Sequence, residues 1–136
     1  MKYLLDTQLV LWTLFDPERI PSPILGIFED QSAIKFVSGV TLWEISLKYS
    51  LGKILLDGLK PELIQLKIEE SGCQMHSIQN QELSTYYQLP KKENHKDPFD
   101  RLLIWQSILN DFTLLTTDSS FKSYLEDGLK LLLTRK

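Results

Sequence analysis

Five short apolar runs punctuate the chain: KYLLDT (2–7), SAIKFVS (32–38), CQMHSI (73–78), FTLLTTD (112–118) and GLKLLLT (128–134). The gaps between them are filled by segments with helical patterning, and this alternation restricts the fold more than any other feature. Strands separated by helices pair in parallel, because the helix carries the chain back along the sheet before the next strand begins. The intervening segments read as helices at 9–15, 24–30, 40–52, 59–72, 79–90, 97–111 and 119–127. Their ends carry suitable chemistry. Gly52 stops one helix, Pro61 and Gly72 suit the first turn and the C′ position of the next, and Pro90 ends a third. DPERIPSP (16–23) is a turn and KKENHK (91–96) a polar loop. An α/β fold with a mainly parallel central sheet follows.

Two of these strands finish on an acid, Asp6 after KYLL and Asp118 after TLLTT. Ligands of open parallel sheets gather outside the carboxyl ends of the strands, so both acids belong to one edge of the sheet. Glu44 lies early in the helix that follows strand 32–38, near the same edge. Asp100 belongs to the first turn of helix 97–111, for which the sequence leaves either rim open. Each acid also has a purely structural reading. Aspartates after strands form turns and cap helices. Glu44 and Lys48 are spaced i,i+4, like a surface pair worth roughly a few tenths of a kcal/mol. In HKDPFD (95–100), Asp97 reads as an N-cap, Pro98 as the first helical residue, and Asp100 as an acid favoured by the helix dipole or closing a capping box.

Composition narrows the remaining options. At 136 residues the chain reads as one domain, 1–136, able to bury a core, and 43% hydrophobic with 24% charged residues is the balance of a globular protein. Charges interrupt every apolar run short of the roughly 18–20 residues of a membrane span. MKYLLDTQLVLW lacks a small-residue cleavage site, which argues against a signal peptide. A single cysteine, Cys73, rules out an internal disulfide and suits a reducing, cytoplasmic setting. The net charge of −3 does not advertise a nucleic-acid binder, although a metal cluster can hold phosphate on an acidic protein. Cys73 and His76 form one lone pair and His95 stands apart, short of the three or four ligands of a zinc site. Cys73 and His76 read as strand residues, and Trp12, Trp43 and Trp105, all in apolar helical stretches, as core.

LLDTQLVLW (4–12), VSGVTLWEISLKYSLGKI (37–54), LPKKENHKDPFDRLLIWQSI (89–108) and LLTTDSSF (114–121) resemble, in order, the four sequence blocks of PIN-domain ribonucleases. More closely, they resemble the VapC-type toxins of bacterial toxin–antitoxin pairs. The resemblance covers nearly the whole chain, and DxxDR with its apolar run and T-x-D-x-x-F are its specific parts. It implies a PIN-like three-layer α/β/α sandwich and an endoribonuclease that leaves 5′-phosphate ends. The family's acidic quartet falls on Asp6, Glu44, Asp100 and Asp118, with Asp97 as an additional acid.

Four crowded carboxylates repel one another and take up protons unless a hard cation joins them. Mg²⁺ suits such oxygen ligands, and Mn²⁺ is compatible with them. In that reading Asp6 and Asp100 contact the ion most directly. Asp118 acts through water, and Glu44 positions the attacking water or a second ion. Thr7 and Thr117 flank two of the acids and would hydrogen-bond to the carboxylates or to the local backbone. Lys48, Lys53, Lys96, Arg101 and Lys122 are candidates for phosphate contacts, Arg101 alternatively pairing with Asp97. Gln8 stands where the family usually has His. The resemblance further implies an RNA substrate, a cognate antitoxin that sets a basic side chain in the acidic site, and a homodimer. The competing reading is a non-catalytic PIN-like module that binds RNA or protein and needs no ion. The RNA target and the number of ions stay open.

Overall fold

The computed structural model describes residues 1–135. In chain order its elements are β1 (Lys2–Leu5), α1 (Thr7–Phe15), α2 (Ser22–Glu29), β2 (Ile34–Ser38), α3 (Gly39–Ser50), α4 (Ile64–Glu70), β3 (Gln74–His76), α5 (Asn80–Thr85), α6 (Pro98–Asn110), β4 (Thr113–Thr116) and β5 (Lys130–Leu133). The strands form one sheet in the order β3-β2-β1-β4-β5, and every pair is parallel. β1 is central: Leu4 lies opposite Phe36 of β2 on one side and Leu114 of β4 on the other.

Side chains alternate across a strand, and the core divides accordingly. Leu5, Val37 and Leu115 face one layer of helices, packing with Leu9, Val10 and Trp12 of α1, Ile24 of α2, Ile45 of α3, and Ile64 and Ile68 of α4. Leu4 and Leu114 face the opposite layer, with Leu102, Leu103 and Trp105 of α6 and with Phe121 and Tyr124. The result is the expected three-layer α/β/α arrangement.

Several helices are shorter or tighter than their patterning suggests. Residues Pro61–Leu63 form a 3₁₀ turn before α4, Tyr86–Gln88 form another after α5, and Ser119–Asp127 are 3₁₀ throughout. Gly72 adopts φ +94° just beyond α4, the left-handed C′ geometry that its position predicts. Trp12 and Trp105 are buried, but Trp43 is 56% exposed, contrary to expectation. α3 buries Val40, Thr41, Glu44 and Ile45, a stripe that Trp43 does not share. It meets Phe99 edge-on, with ring centroids 4.8 Å apart.

Cys73 immediately precedes β3, and His76 ends it. His76 contacts Glu82, a buried carboxylate that also accepts from Gln79 N–H, Gln106 Nε2 and Asn110 Nδ2. Burial raises the Glu82 pKa, but these hydrogen bonds outweigh it and hold the group below the usual range. Gln106 in turn accepts from Ser38 Oγ at 2.6 Å, so this network fastens α6 to the end of β2. Among the described residues no helix is long and apolar enough to cross a membrane.

Candidate active site

The topology decides which rim each acid occupies. Asp6 follows β1 directly, Asp118 stands two residues beyond β4, and Glu44 lies in the second turn of α3, which starts where β2 ends. α6 precedes a parallel strand and therefore runs against the sheet, so its first turn, with Asp100, sits at the same carboxyl edge. The connection after β1 leads to β2 on one side and that after β4 leads to β5 on the other, so the carboxyl ends of β1 and β4 flank the usual ligand position in open α/β sheets. Asp6, Glu44, Asp97, Asp100 and Asp118 all line one cleft of ≈ 530 Å³, together with Thr7, Gln8, Lys48 and Thr117.

Local chemistry fixes most of these carboxylates. Asp6 caps α1, with Oδ1 accepting Leu9 N–H at 2.8 Å. Asp97 caps α6 by accepting the Phe99 and Asp100 N–H groups at 2.8 and 3.2 Å, and Pro98 opens that helix. Asp118 accepts Ser120 N–H at 2.9 Å. Glu44 is 4% exposed, so its 2.6 Å pair with Lys48 Nζ is not the surface pair its spacing suggests. Its other oxygen, Oε1, is buried without a hydrogen-bond partner.

The acids perturb one another. Burial, reinforced by Asp100 and Asp118, pushes Asp6 up to about 6, against the opposing hydrogen bonds from Thr116 and Leu9. Burial likewise pushes Asp100 up to about 6, with Asp97 and Glu44 adding to the effect and His95 opposing it. A buried, unpartnered carboxylate oxygen and two carboxyls driven toward protonation form an oxygen-only donor set deficient in positive charge. That chemistry fits a hard divalent cation. As they stand, no three His, Cys, Asp or Glu side chains among the described residues are gathered closely enough to hold one.

The remaining candidates divide. Thr7 Oγ1 pairs with Thr41 Oγ1 at 3.0 Å rather than with a carboxylate. Thr117 lines the cleft, but the hydroxyl that donates to Asp6 belongs to Thr116. The register explains this, since Leu5 lies opposite Leu115 and the next pair is Asp6 beside Thr116. Arg101 neither lines the cleft nor pairs with Asp97. Its guanidinium donates to Tyr86 Oη, Pro90 O, Tyr124 Oη and Leu89 O, fastening the loop that precedes α6. Lys48 lines the acidic cleft, whereas Lys96 and Arg101 line a second pocket of ≈ 440 Å³ with Tyr86, Lys91 and Lys92. Lys53 and Lys122 line neither.

One residue at the site escaped the sequence reading. His95 is 5% exposed, and its Nε2 lies 3.2 Å from Asp100 Oδ2. The absence of another His or Cys near it in sequence concealed it; its place in a loop directly before the acidic helix was the available signal.

The PIN domain family matches residues 3–125. Among curated proteins none matches the chain in sequence. Three solved structures have the same fold at low identity. VapBC2 from Rickettsia felis, bound to a DNA fragment from its promoter, is 20% identical over 98% of each chain, with a TM-score of 0.66. DNA-bound VapBC from Salmonella typhimurium is 20% identical over 97% of each chain, also at 0.66. FitAB bound to an IR36 DNA fragment is 22% identical over 98% of this chain and 94% of that one, at 0.59.

Proposed function

Because this chain belongs to the PIN domain family, we propose that it is a metal-dependent endoribonuclease, the toxin of a toxin–antitoxin pair. The observation that carries the proposal is the convergence of Asp6, Glu44, Asp100 and Asp118, from four separate elements, on one cleft at the carboxyl edge of the sheet. Asp6 and Asp100 are the principal ligands of Mg²⁺ or Mn²⁺, with Asp118 supporting them. When bound, the ion supplies Lewis acidity toward the phosphodiester and compensates the charge of the cluster. Glu44 Oε1, buried and unpartnered, accepts a proton from the attacking water, while Lys48 holds the other oxygen of that carboxylate in place. Asp97 caps α6 and adds negative charge beside Asp100.

The family match over most of the chain supports reading residues 1–136 as one domain. An antitoxin partner is supported by the VapBC and FitAB complexes among the structural neighbours. A basic antitoxin side chain in the cleft would answer its negative charge. The homodimer and the cytoplasmic setting belong to the same proposal.

The test is cleavage of RNA by the wild-type protein and by the Asp6→Asn/Asp100→Asn double variant, with Mg²⁺ and with EDTA. Metal-dependent cleavage that the double variant loses supports the proposal; cleavage that survives both EDTA and the double substitution sinks it. The second reading, a PIN-like module that binds without cutting, is favoured by the open arrangement of the acids, no three of which among the described residues are gathered for ligation. Metal titration separates the two, since such a module binds its partner equally well without an ion.

A further inference from the structure

His95 and Ser120 each support one of the proposed metal ligands. Its Nε2 is 3.2 Å from Asp100 Oδ2, and its Nδ1 is 3.5 Å from Ser120 Oγ. Ser120 Oγ donates in turn to Asp118 Oδ1 at 2.7 Å. An imidazole and a hydroxyl thus support, one each, carboxylates that arrive from α6 and from the segment after β4. The ring is held on every side. Phe121 packs against it at 4.9 Å and Tyr124 at 5.5 Å. His95 N–H donates to Lys92 O, and its carbonyl accepts from Tyr124 Oη, which Arg101 Nη1 fixes at 2.8 Å. A histidine this constrained makes its polar contacts at set positions, as a group that orients another must.

We infer that His95 and Ser120 are positioning residues, His95 orienting the Asp100 carboxylate and Ser120 that of Asp118, for ion binding. The inference rests on the metal-site reading and adds to it the groups that orient two of the ligands. With its proton on Nε2, the ring donates to Asp100 and fixes which oxygen faces the cleft. Ser120 does the same for Asp118. Ligands that need no reorientation bind an ion more tightly, and loss of such supporting hydrogen bonds typically weakens affinity about 10- to 100-fold.

The experiment measures Mn²⁺ binding to the full chain by electron paramagnetic resonance, alongside kcat and KM for RNA cleavage. His95→Phe keeps the packing against Phe121 and Tyr124 but removes both ring nitrogens; His95→Gln keeps a donor within reach of Asp100. Expected are a roughly 10- to 100-fold loss of Mn²⁺ affinity in His95→Phe, partial recovery in His95→Gln, and a smaller loss in Ser120→Ala. A merely structural role is separated by a double-mutant cycle. In the Asp100→Asn background His95→Phe should produce little further loss, because the oriented group is already altered. Additive losses there, or undiminished binding by a folded His95→Phe or Ser120→Ala protein, overturn the inference while leaving the metal site intact. Absence of Mn²⁺ binding by the wild-type protein overturns the metal-site reading and this inference with it.

Discussion

Thr116 Oγ1 donates to Asp6 Oδ2 at 2.5 Å and accepts the Asp118 N–H at 3.0 Å, so one fully buried hydroxyl holds two acids of the cleft in register. Replacing it with the isosteric valine removes a hydrogen bond to a carboxylate and leaves a backbone N–H unpaired. Thr116→Val should therefore lose about 1.5–3 kcal/mol at neutral pH by chemical denaturation. Thr116→Ser, which keeps the hydroxyl, should lose less.

Asp6 stands at about 6 in the folded protein against 3.8 for an ordinary aspartate. A carboxyl that holds its proton more tightly when folded contributes stability that is complete below its unfolded value and disappears as pH rises through its folded value. Asp100, also at about 6, acts in the same direction. In EDTA the protein should thus lose stability between about pH 4 and 7 on account of these two groups. Asp6→Asn removes the Asp6 share and should be more stable than wild type at about pH 7, by on the order of 1–3 kcal/mol. Denaturation curves across this range should show the advantage vanishing near pH 4.

Arg101 distinguishes a structural role from a substrate role. Its donors are engaged by Leu89, Pro90, Tyr86 and Tyr124, and lysine cannot reproduce that planar fork. Arg101→Lys should cost about 2–4 kcal/mol and lower the melting temperature. Unchanged stability with weakened RNA binding would instead return Arg101 to the phosphate contacts.

Asp97 separates its two effects by substitution. Asp97→Ala removes the cap of α6 and should cost about 1 kcal/mol, whereas Asp97→Asn keeps a capping oxygen. Both remove a negative charge that raises Asp100, so an NMR titration should show the Asp100 midpoint below about 6 in each variant.

The strands, their parallel pairing and the acids at their ends were legible because short-range pattern determines them. The capping role of Asp97 was legible for the same reason. The rim occupied by Asp100 was not, since it depends on α6 leading into β4 rather than away from a strand. Assigning the supporting hydroxyl to Thr117 instead of Thr116 is a register error of one residue, and on a strand that step moves a side chain to the other face. Trp43 was misplaced, and the structural engagement of Arg101 was missed, because composition says nothing of which helix face is covered. Arg101 is consumed by carbonyls that only the folded loop presents. His95 is marked in the sequence only by its place just before the acidic helix; Ser120, Phe121 and Tyr124 join it and Asp100 only in three dimensions.

The bond between Thr116 and Asp6 spans 110 positions of the chain. A polypeptide emerging from the ribosome exposes Asp6 first and waits for β4 before the partner that organises it exists. Every shorter nascent form lacks Asp118 as well, so premature termination or a proteolytic cut ahead of β4 yields fragments with no assembled cleft.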